Sequence, residues 1–555
     1  MRALITLCCN LLWFLSCLPG YIRFCAALRR VRQRQSRIML RIINRNRNTL
    51  YGREHGFDEI RTMSDFRSLK PTDYTDYIPY IEKIRAGAGN VLTADTVRIL
   101  QPTSGTSSGV KLIPYTEMLG TEFKSALDAW VSDLFLGWPK LFSGTQYWAI
   151  SPVTKNQDDG SGVVQVGFLD DIEYFGKMSG VMSRIMAVPS HVRMISDIDS
   201  VRYVTLLYLL RQRRLTLISV WHPSFLILML DCLRSNWERL LDDVEKGGVS
   251  GGIRVPDDVA LYYAAELKPE PQRAAGLRAL DRDADDFLVK VWPHLQVISF
   301  WTDGGVSGRE IRHVEKCFPG VYIQGKGLLA TEGVISVPFG RCDGHVCAVT
   351  SHFLEFQDDA GDIFPVWRLK DGEEYKVLIT TGGGLYRYQL NDRIRVAGHL
   401  HRVPRIKFIG RGNVVSDCVG EKLHLAHVEN VIGNIVEECF SDAVEFAVLV
   451  PVTVGLRHAY TLFVEPADGA AGDAEEAATV LESGLRSNYH YAYARDAGQL
   501  GGAKVALLAR GAKKRYTEFM VKRGMAAGTI KYSALGVTED VRDYIAGEEA
   551  NHRIQ

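Results

Sequence analysis

Residues 103–111 read Thr103-Ser104-Gly105-Thr106-Ser107-Ser108-Gly109-Val110-Lys111 and decide how the rest of the chain is interpreted. The stretch combines hydroxyl side chains, two glycines and a lysine, and it follows a strand-like apolar run at 97–100. Glycines let the backbone approach a ligand closely, while amide, hydroxyl and ammonium donors suit phosphate oxygens. It is not a Walker A loop, because the lysine lies two residues after the last glycine and no Ser or Thr follows it. We predict a polyphosphate-binding loop; an ordinary polar loop has a similar composition.

The overall composition is that of a globular protein with more than one domain. The chain has 555 residues, 46% of them apolar and 24% charged, enough for two or more hydrophobic cores. Lys and Arg number 66 against 65 Asp and Glu, so the overall charge gives no case for nucleic-acid binding. The ten cysteines form no CxxC pair and no zinc-ligand or disulfide pattern. A reducing compartment, the cytoplasm, is the simplest expectation.

The N-terminal segment is apolar but does not fit a membrane span or a signal peptide well. The run at 3–19 is shorter than the roughly 20 apolar residues that a spanning helix needs, and it includes Asn10 and Ser16. A signal peptide would require a positive front and a small-residue cleavage site, for which only Arg2 and Cys17 offer slight support. We predict a helix over 3–28 that packs on a cytoplasmic protein or contacts a membrane surface peripherally.

The periodicity along the chain predicts an α/β fold. An amphipathic helix is expected at 117–135, and strand-like runs at 146–150, 163–168 and 215–220 alternate with helical ones at 198–211 and 224–241. A buried strand is expected at 295–301. Such alternation is typical of a sheet covered by helices. Short strands and tight turns follow, and after about residue 413 helices and strands form a separate unit of roughly 140 residues.

Three further stretches could carry chemistry. Glu332 follows Thr331 at a strand end, and a magnesium–phosphate complex needs such a hard oxygen ligand; a solvent-facing turn acid is the alternative. Asp392 could accept both ribose hydroxyls of a nucleotide, and arginine can bind ribose or phosphate bidentately, although Arg387 and Asp392 could equally belong to an ion pair within a sheet. Lys531 lies in a short polar loop, where a lysine is ordinarily a solvated surface charge.

Taken together and in order, these stretches resemble the auxin-responsive acyl-acid amido synthetases, the Gretchen Hagen family of adenylate-forming enzymes, and their bacterial relatives. The family carries a Ser/Thr-Ser-Gly-Thr-Ser-x-Gly-x-x-Lys loop, matched by 103–111 with one residue fewer before the lysine. The resemblance extends from about residue 35 to 540. Its other matches are Asp73-Tyr74 with Pro79-Tyr80-Ile81, Thr331-Glu332, Tyr386-Arg387-Tyr388 with Asp392, Gly398 with Pro404, Phe408 with Arg411 and Asn413, Arg495 with Gly498 and Gly501, and Lys531.

The resemblance implies a fold and a reaction. It implies an N-terminal extension at 1–30, a large α/β adenylate-forming domain at 31–412 with a small β-rich part, and a mobile α+β domain at 413–555. A carboxylic acid would react with MgATP to give an acyl-adenylate and pyrophosphate. An amine, expected to be an amino acid, would then take the acyl group and release AMP.

The resemblance also implies roles for individual residues. Lys531 would stabilise the α-phosphate during adenylation, and Lys111 would assist the leaving pyrophosphate. Glu332 would bind Mg²⁺, Asp392 the ribose, and Arg411 would lie beside it at a hinge. The remaining nucleotide-binding residues would be Thr103, Ser104, Gly105, Thr106, Ser107, Ser108, Thr331 and, as a phosphate or hinge residue, Lys422.

The sequence departs from the family pattern at three places. Leu328 stands where the family has a tyrosine, Asn391 where it has a glycine, and Ser533-Ala534 where it has Pro-Arg. Two alternatives therefore stay open: transfer of the acyl group to a thiol such as coenzyme A, and a catalytically silent, membrane-associated binding protein of the same fold. The sequence does not identify the acid, the amine or the residues of the acyl pocket.

Overall fold

The structure is a computed structural model. It describes residues 2–103, 111–149, 163–166, 179–195, 197–250, 253, 263, 266–303, 308–411, 415–441, 443–454, 457–467, 473–522, 534–536 and 545.

The α-helices of the described residues cover both halves of the chain. In chain order they are α1 (Arg2–Arg29), α2 (Val31–Asn46), α3 (Leu50–Glu54), α4 (Met63–Phe66), α5 (Ile78–Arg85), α6 (Glu117–Gly137), α7 (Ser179–Ile185), α8 (Ile198–Arg211), α9 (Pro223–Ser235), α10 (Trp237–Lys246), α11 (Pro271–Arg278), α12 (Phe287–Val291), α13 (Gly308–Cys317), α14 (Leu425–Phe440), α15 (Ala474–Arg486), α16 (Tyr489–Asp496) and α17 (Ala512–Lys522).

The strands fall into several sheets. In chain order they are β1 (Ile99–Pro102), β2 (Leu112–Tyr115), β3 (Thr145–Trp148), β4 (Leu215–Ser219), β5 (Val297–Phe300), β6 (Tyr322–Gly325), β7 (Leu329–Ala330), β8 (Gly333–Val334), β9 (Ser336–Val337), β10 (His345–Cys347), β11 (Phe353–Gln357), β12 (Ile363–Pro365), β13 (Glu374–Thr380), β14 (Tyr388–Leu400), β15 (Val403–Arg411), β16 (Val415–Ser416), β17 (Leu423–His424), β18 (Val444–Val454), β19 (Arg457–Pro466) and β20 (Lys504–Leu507).

Two compact units account for the described residues. Those up to Arg411, apart from the first turn of α13, form the first unit, and those from Val415 onward form the main part of the second. In the second unit, β18 and β19 pair antiparallel, β20 joins β19 in parallel, and α14 and α15 pack together. Its core is separate from that of the first unit and includes Leu423, Tyr460, Leu481 and Tyr491. Each unit therefore buries its own apolar residues.

The first unit contains two main sheets of opposite character. One is parallel, in the order β3-β4-β5-β6, and its two central strands, β4 and β5, are fully buried. Such burial is expected for the central strands of a parallel sheet covered by helices. The other is an antiparallel seven-stranded sheet in the order β12-β11-β13-β14-β15-β10-β9. A short hairpin, β1 with β2, carries the predicted phosphate loop between its strands.

The N-terminal helix α1 packs on the first unit along one face. Its buried side chains include Cys9, Trp13, Cys17 and Phe24, and the Trp13 ring meets Phe135 of α6 edge-on at 5.5 Å. The buried Asn10 amide donates to the backbone carbonyls of 141, 142 and 144. One face of α1 is therefore fixed to the protein by both apolar and polar contacts.

Several predicted elements lie where the sequence placed them, and one does not. The helix expected at 117–135 is α6, and that expected at 198–211 is α8. The single helix expected at 224–241 is wrong, because α9 and α10 are separated at Asn236, whose backbone leaves helical geometry (φ −113°, ψ 16°). Its side chain bonds back to the Cys232 carbonyl, a local hydrogen bond that competes with helix continuation. Of the strand expected at 163–168, the described residues show one bridge, Leu100 to Val166.

Candidate active site

The ends of the 103–111 loop are fixed by the β1–β2 hairpin. Pro102 pairs with Leu112, and the Thr103 N–H donates to the Lys111 carbonyl at 2.8 Å. The hydroxyl and glycine positions Ser104, Gly105, Thr106, Ser107 and Ser108 lie outside the described residues. The hairpin therefore places both ends of the loop at the edge of the first unit's core, with Lys111 at the start of β2.

Lys111 lies between two tyrosines. Its Nζ donates to the Tyr388 hydroxyl at 3.2 Å and lies 5.7 Å from the Tyr74 ring centre and 5.8 Å from that of Tyr388. Tyr74 is fixed in turn, because its hydroxyl accepts the Leu112 N–H at 2.7 Å. Contacts of this kind hold a cation near aromatic faces without neutralising its charge. The lysine is therefore positioned by two tyrosines from distant parts of the chain.

Carboxylates lie close enough to the same pair of tyrosines to raise their pKa values. Burial raises the pKa of Tyr388, and the nearby charges of Glu332, Asp73 and Asp392 raise it further. Burial likewise raises the pKa of Tyr74, with a contribution from Glu332. The Thr75 hydroxyl lowers the pKa of Asp73, and Lys111 contributes in the same direction. Lys111, Glu332 and Asp392 therefore share one environment, although they are up to 281 positions apart in the sequence.

Glu332 occupies the turn between β7 and β8, directly after Thr331. Its side chain is largely buried, with 9% of its surface exposed, and Thr331 is half-buried. No group of three or more His, Cys, Asp or Glu in the described part of the chain could bind a metal ion unaided. A single carboxylate does suit Mg²⁺, which commonly takes one or two protein carboxylates and completes its octahedron with phosphates and water. The donor set thus fits a magnesium ion that arrives with a nucleotide.

Asp392 is presented by a bulge in β14. Lys376 of β13 pairs with Arg393 and Leu378 pairs with Gln389, so residues 390–392 oppose a single residue of β13. Asn391 within the bulge has φ 62°, a left-handed conformation that asparagine tolerates better than most residues other than glycine. This explains why the chain can carry Asn391 where the family has glycine. Bulges reorient side chains next to functional sites, and here Asp392 is 97% buried beside Tyr388.

The other predicted residues differ in how the structure places them. Arg411 is the residue of β15 opposite Asp392, so its backbone lies beside the bulge; its side chain lies outside the described residues. Lys422 is half-buried in the second unit, at the turn between β16 and β17, with φ 46°. Lys531 lies outside the described residues. The structure therefore brings together Lys111, Glu332, Asp392 and the backbone of Arg411.

Arg387 takes the ion-pair role that the sequence had left open. Its guanidinium donates to both carboxylate oxygens of Glu355 at 2.9 and 3.1 Å, and to the carbonyls of Arg67 and Leu69. Both charged groups are at least 95% buried. Arg387 therefore joins β14 to β11 and to the segment after α4. Tyr74 and Tyr388, by contrast, are site residues that the sequence indicated only as members of motifs. Nothing in their local sequence predicts that both contact Lys111.

Comparison with solved structures defines the class of fold. The GH3.15 acyl acid amido synthetase aligns over 94% of this chain and 94% of its own, with a TM-score of 0.62 and 19% identity. The complex of that enzyme with 2,4-DB covers 96% and 95%, with a TM-score of 0.66. At this identity the likeness shows the fold, which is that of an acyl acid amido synthetase, as the sequence predicted.

Family models identify the chain more closely. The GH3 family N-terminal domain matches residues 21–322, the central domain 346–411 and the C-terminal domain 426–536. This chain belongs to the GH3 family, which confirms the resemblance drawn from the motifs. Among similar proteins, the indole-3-acetic acid-amido synthetase GH3.8 of Oryza sativa subsp. indica is 24% identical over 72% of this chain and 69% of its own. The indole-3-acetic acid-amido synthetase GH3.2 of Arabidopsis thaliana is 23% identical over 72% and 77%.

Proposed function

We propose that this chain is an ATP-dependent acyl-acid amido synthetase that adenylates a carboxylic acid and transfers the acyl group to an amino acid, releasing AMP. The observation that carries the proposal is the cluster in the first unit in which Lys111 contacts Tyr74 and Tyr388, and in which the charges of Glu332 and Asp392 raise the pKa of Tyr388. A cation beside hydroxyls and two separated carboxylates is the arrangement that a magnesium-bound nucleotide requires. The enzyme class, a ligase that forms a carbon–nitrogen bond through an acyl-adenylate, is confirmed by the family and its relatives.

In the first half-reaction, a carboxylate oxygen of the acid attacks the α-phosphorus of ATP and pyrophosphate leaves. We assign Thr103, Ser104, Gly105, Thr106, Ser107, Ser108 and Lys111 to the phosphates. Lys111 would neutralise the departing pyrophosphate, because its ammonium is already held at this edge by Tyr388. Little covalent chemistry falls to the protein in such a transfer, so positioning and charge neutralisation dominate.

The nucleotide would be oriented at its other end by the β14 bulge. Asp392 would accept the ribose hydroxyls, with Arg411 beside it on the paired strand. Glu332, with Thr331, would bind Mg²⁺, which would shield the phosphate charges. Its burial supports this role, because a carboxylate held in place at a site of low dielectric binds a cation more strongly than a mobile surface one.

In the second half-reaction, the amine nitrogen attacks the acyl carbonyl, the acyl–phosphate bond breaks and AMP leaves. We propose that residues 413–555 form a mobile domain, with residues 411–413 as its hinge and Lys422 as a phosphate or hinge residue. Lys531 would approach the α-phosphate only for adenylation. The separate cores of the two units support independent movement of the second.

One experiment tests the proposal directly. Pyrophosphate release is measured over a panel of aromatic, fatty and hydroxy acids, each without an acceptor, with amino acids or with coenzyme A, and the products are identified by mass spectrometry. An acyl–amino acid amide is the expected product. Conversion with coenzyme A alone would favour the thiol alternative, and no pyrophosphate with any acid would favour the silent binding protein.

Two variants test the assigned residues. Asp392→Ala should raise the KM for ATP at least about tenfold, since bonds from a charged acceptor to the ribose are lost. Asp359→Ala, a change at an exposed carboxylate of the same domain, should leave it unchanged. Lys531→Ala should lose acid-dependent pyrophosphate exchange while ATP still binds, with exposed Lys514→Ala as the control. Unchanged exchange would remove Lys531 from the mechanism.

We also propose that the protein works in the cytoplasm and touches a membrane surface through α1. All ten cysteines are free thiols, which supports a reducing compartment. Residues 3–29 are long and apolar enough to cross a membrane by length and composition alone, and an 18-residue window within them has a mean hydropathy of 1.8. The contacts of Asn10 and Trp13 favour a helix that lies on the protein, with Leu4, Leu7, Leu11, Leu12 and Leu15 exposed on its other side.

The charge of the N-terminal segment supports the same proposal. The first 53 residues contain eleven arginines and no lysine or acid, although the whole chain has a net charge of only +1. Exposed leucines beside arginines suit the surface of an anionic bilayer. In a flotation assay the protein should therefore float with phosphatidylserine vesicles, and the double variant Leu11→Ser/Leu15→Ser should no longer float with them. Leu507→Ser, at an exposed leucine of the second unit, is the control. Equal flotation of both variants would contradict the contact.

A further inference from the structure

A buried lysine lies at the carboxyl end of the parallel sheet, apart from the nucleotide cluster. Lys326 follows β6, and its backbone N–H donates to the Phe300 carbonyl at 2.9 Å, which fixes it beside β5. Only 5% of its surface is exposed. Ligands of open α/β sheets bind outside the carboxyl ends of the strands, so this lysine lies in the region where the sheet would meet a ligand.

The Lys326 ammonium is enclosed by tryptophans. Its Nζ lies 4.6 Å from the Trp221 ring centre, 5.8 Å from that of Trp130 and 5.9 Å from that of Trp148, and it donates to the Ser219 hydroxyl at 2.9 Å. Two walls are held rigidly, because the Trp130 indole N–H donates to Gln324 and that of Trp148 to Gln146. We refer to Trp130, Trp148 and Trp221 with Lys326 as the tryptophan cage.

A second polar group accompanies the lysine. Ser299 of β5 is the register partner of Ser219 of β4, so the two hydroxyls lie on the same face of the sheet. The Ser299 hydroxyl is fully buried and has no hydrogen-bond partner within the described part of the chain. Leaving a buried hydroxyl unsatisfied costs free energy. A ligand acceptor that reached this face would satisfy Ser299 and contact the Lys326 ammonium.

Trp221 is the most exposed wall of the cage. It follows β4 and is 53% exposed, whereas Trp148 is half-buried and Trp130 is 3% exposed. A ligand could therefore reach the lysine past Trp221 without displacing Trp130. The flat indole rings could stack on a flat apolar ligand, and the Lys326 ammonium could bind an anionic group of that ligand.

We propose that Lys326 is the specificity-determining residue of the acyl-acid pocket, and that it selects flat apolar acids bearing a second carboxylate distant from the reacting one. The inference rests on the proposed adenylation. The bound group is the distal carboxylate, because a cation on the reacting carboxylate would withdraw the electron density needed to attack phosphorus. Glu332, the assigned magnesium ligand, also lies beyond β7 rather than in the cage. An ammonium in a water-poor cage gains a charge-assisted hydrogen bond from such an acid.

The test compares two para-substituted benzoates, terephthalate and 4-methylbenzoate. They differ only in the para substituent, which is a carboxylate in the first and a methyl group in the second. The wild type should favour terephthalate at least about tenfold in kcat/KM. Lys326→Met should lower kcat/KM for terephthalate about 10- to 100-fold, mainly by raising KM, and should change kcat/KM for 4-methylbenzoate less than about threefold. Lys326→Arg should retain part of the preference. Lys83→Met, at an exposed lysine over the single ring of Tyr80, should match the wild type.

Binding is also measured without catalysis, by quenching of tryptophan fluorescence on titration with each acid. This separates the two proposals. Terephthalate binding that depends on Lys326 without pyrophosphate release would support the cage and contradict adenylation. Pyrophosphate release with the same acid preference in the wild type and in folded Lys326→Met would overturn the cage proposal alone. Absence of terephthalate quenching in the wild type would also overturn it, and Lys326→Arg decides the matter if Lys326→Met does not fold.

Discussion

The left-handed backbone at Asn391 allows the link between the bulge and nucleotide binding to be tested. A residue with a Cβ atom pays about 1–2 kcal/mol in this conformation, asparagine less, and a β-branched residue the most. Asn391→Val should therefore introduce about 1–2 kcal/mol of strain. This strain either lowers the free energy of unfolding or is relieved by relaxation of the bulge. Asn391→Gly removes the steric cost and should stay within about 1 kcal/mol of the wild type, since it also makes the unfolded chain more flexible.

The two ways of relieving the strain have different readouts. If the bulge is rigid, urea unfolding records the whole loss and the KM for ATP is unchanged. If the bulge relaxes, Asp392 moves and the KM for ATP rises about tenfold, which corresponds to about 1.4 kcal/mol. Asn391→Gly is the matched control in both assays. Wild-type stability together with a wild-type KM in Asn391→Val would refute the reasoning that the bulge holds Asp392.

Three more predictions concern residues of the first unit. Arg387→Met should lower the free energy of unfolding in urea by about 3–5 kcal/mol, because Glu355 would be left buried without its partner. Arg393→Met, which breaks pairs with exposed Asp359 and half-buried Glu374, should cost less than about 1 kcal/mol per pair, and equal losses in the two variants would contradict this. Lys111→Met should lower pyrophosphate release about 10- to 100-fold with little change in unfolding, whereas Lys83→Met should not; equal rates would remove Lys111 from the site. Burial raises the pKa of Asp133, so its contribution to stability is present below the unfolded pKa and lost as the pH rises through the folded pKa. Asp133→Asn keeps the acceptor for the Gly340 N–H, so its free energy of unfolding should increase relative to that of the wild type as the pH rises above the ordinary aspartate pKa of about 4. A difference that stays constant with pH would contradict this.

The sequence predicted the elements whose signals are local. The amphipathic pattern of α6 and the apolar strands β4 and β5 follow directly from periodicity. The break at Asn236 does not, because the flanking apolar pattern continues across it and a side-chain hydrogen bond decides the outcome.

The candidate site shows the same division. Glu332 and Asp392 could be named from their places in motifs, but not their convergence on Tyr388, since that depends on the register of β14 with β13 and on the packing of the segment that carries Tyr74. Arg387 stands in the same motif as Asp392, and only the position of Glu355 on β11 determined that it is structural. The tryptophan cage left no trace in the sequence, because its four members come from four different segments and meet only when the parallel sheet forms.

The clamp between Thr103 and Lys111 has a consequence for engineering. One backbone hydrogen bond and the pairing of Pro102 with Leu112 fix the two ends of the loop independently of the side chains between them. The segment can therefore be exchanged as a cassette, and a graft of the longer family version would add its extra residue without shifting the register of β1 and β2. Loops from different relatives could then be compared on one unchanged scaffold.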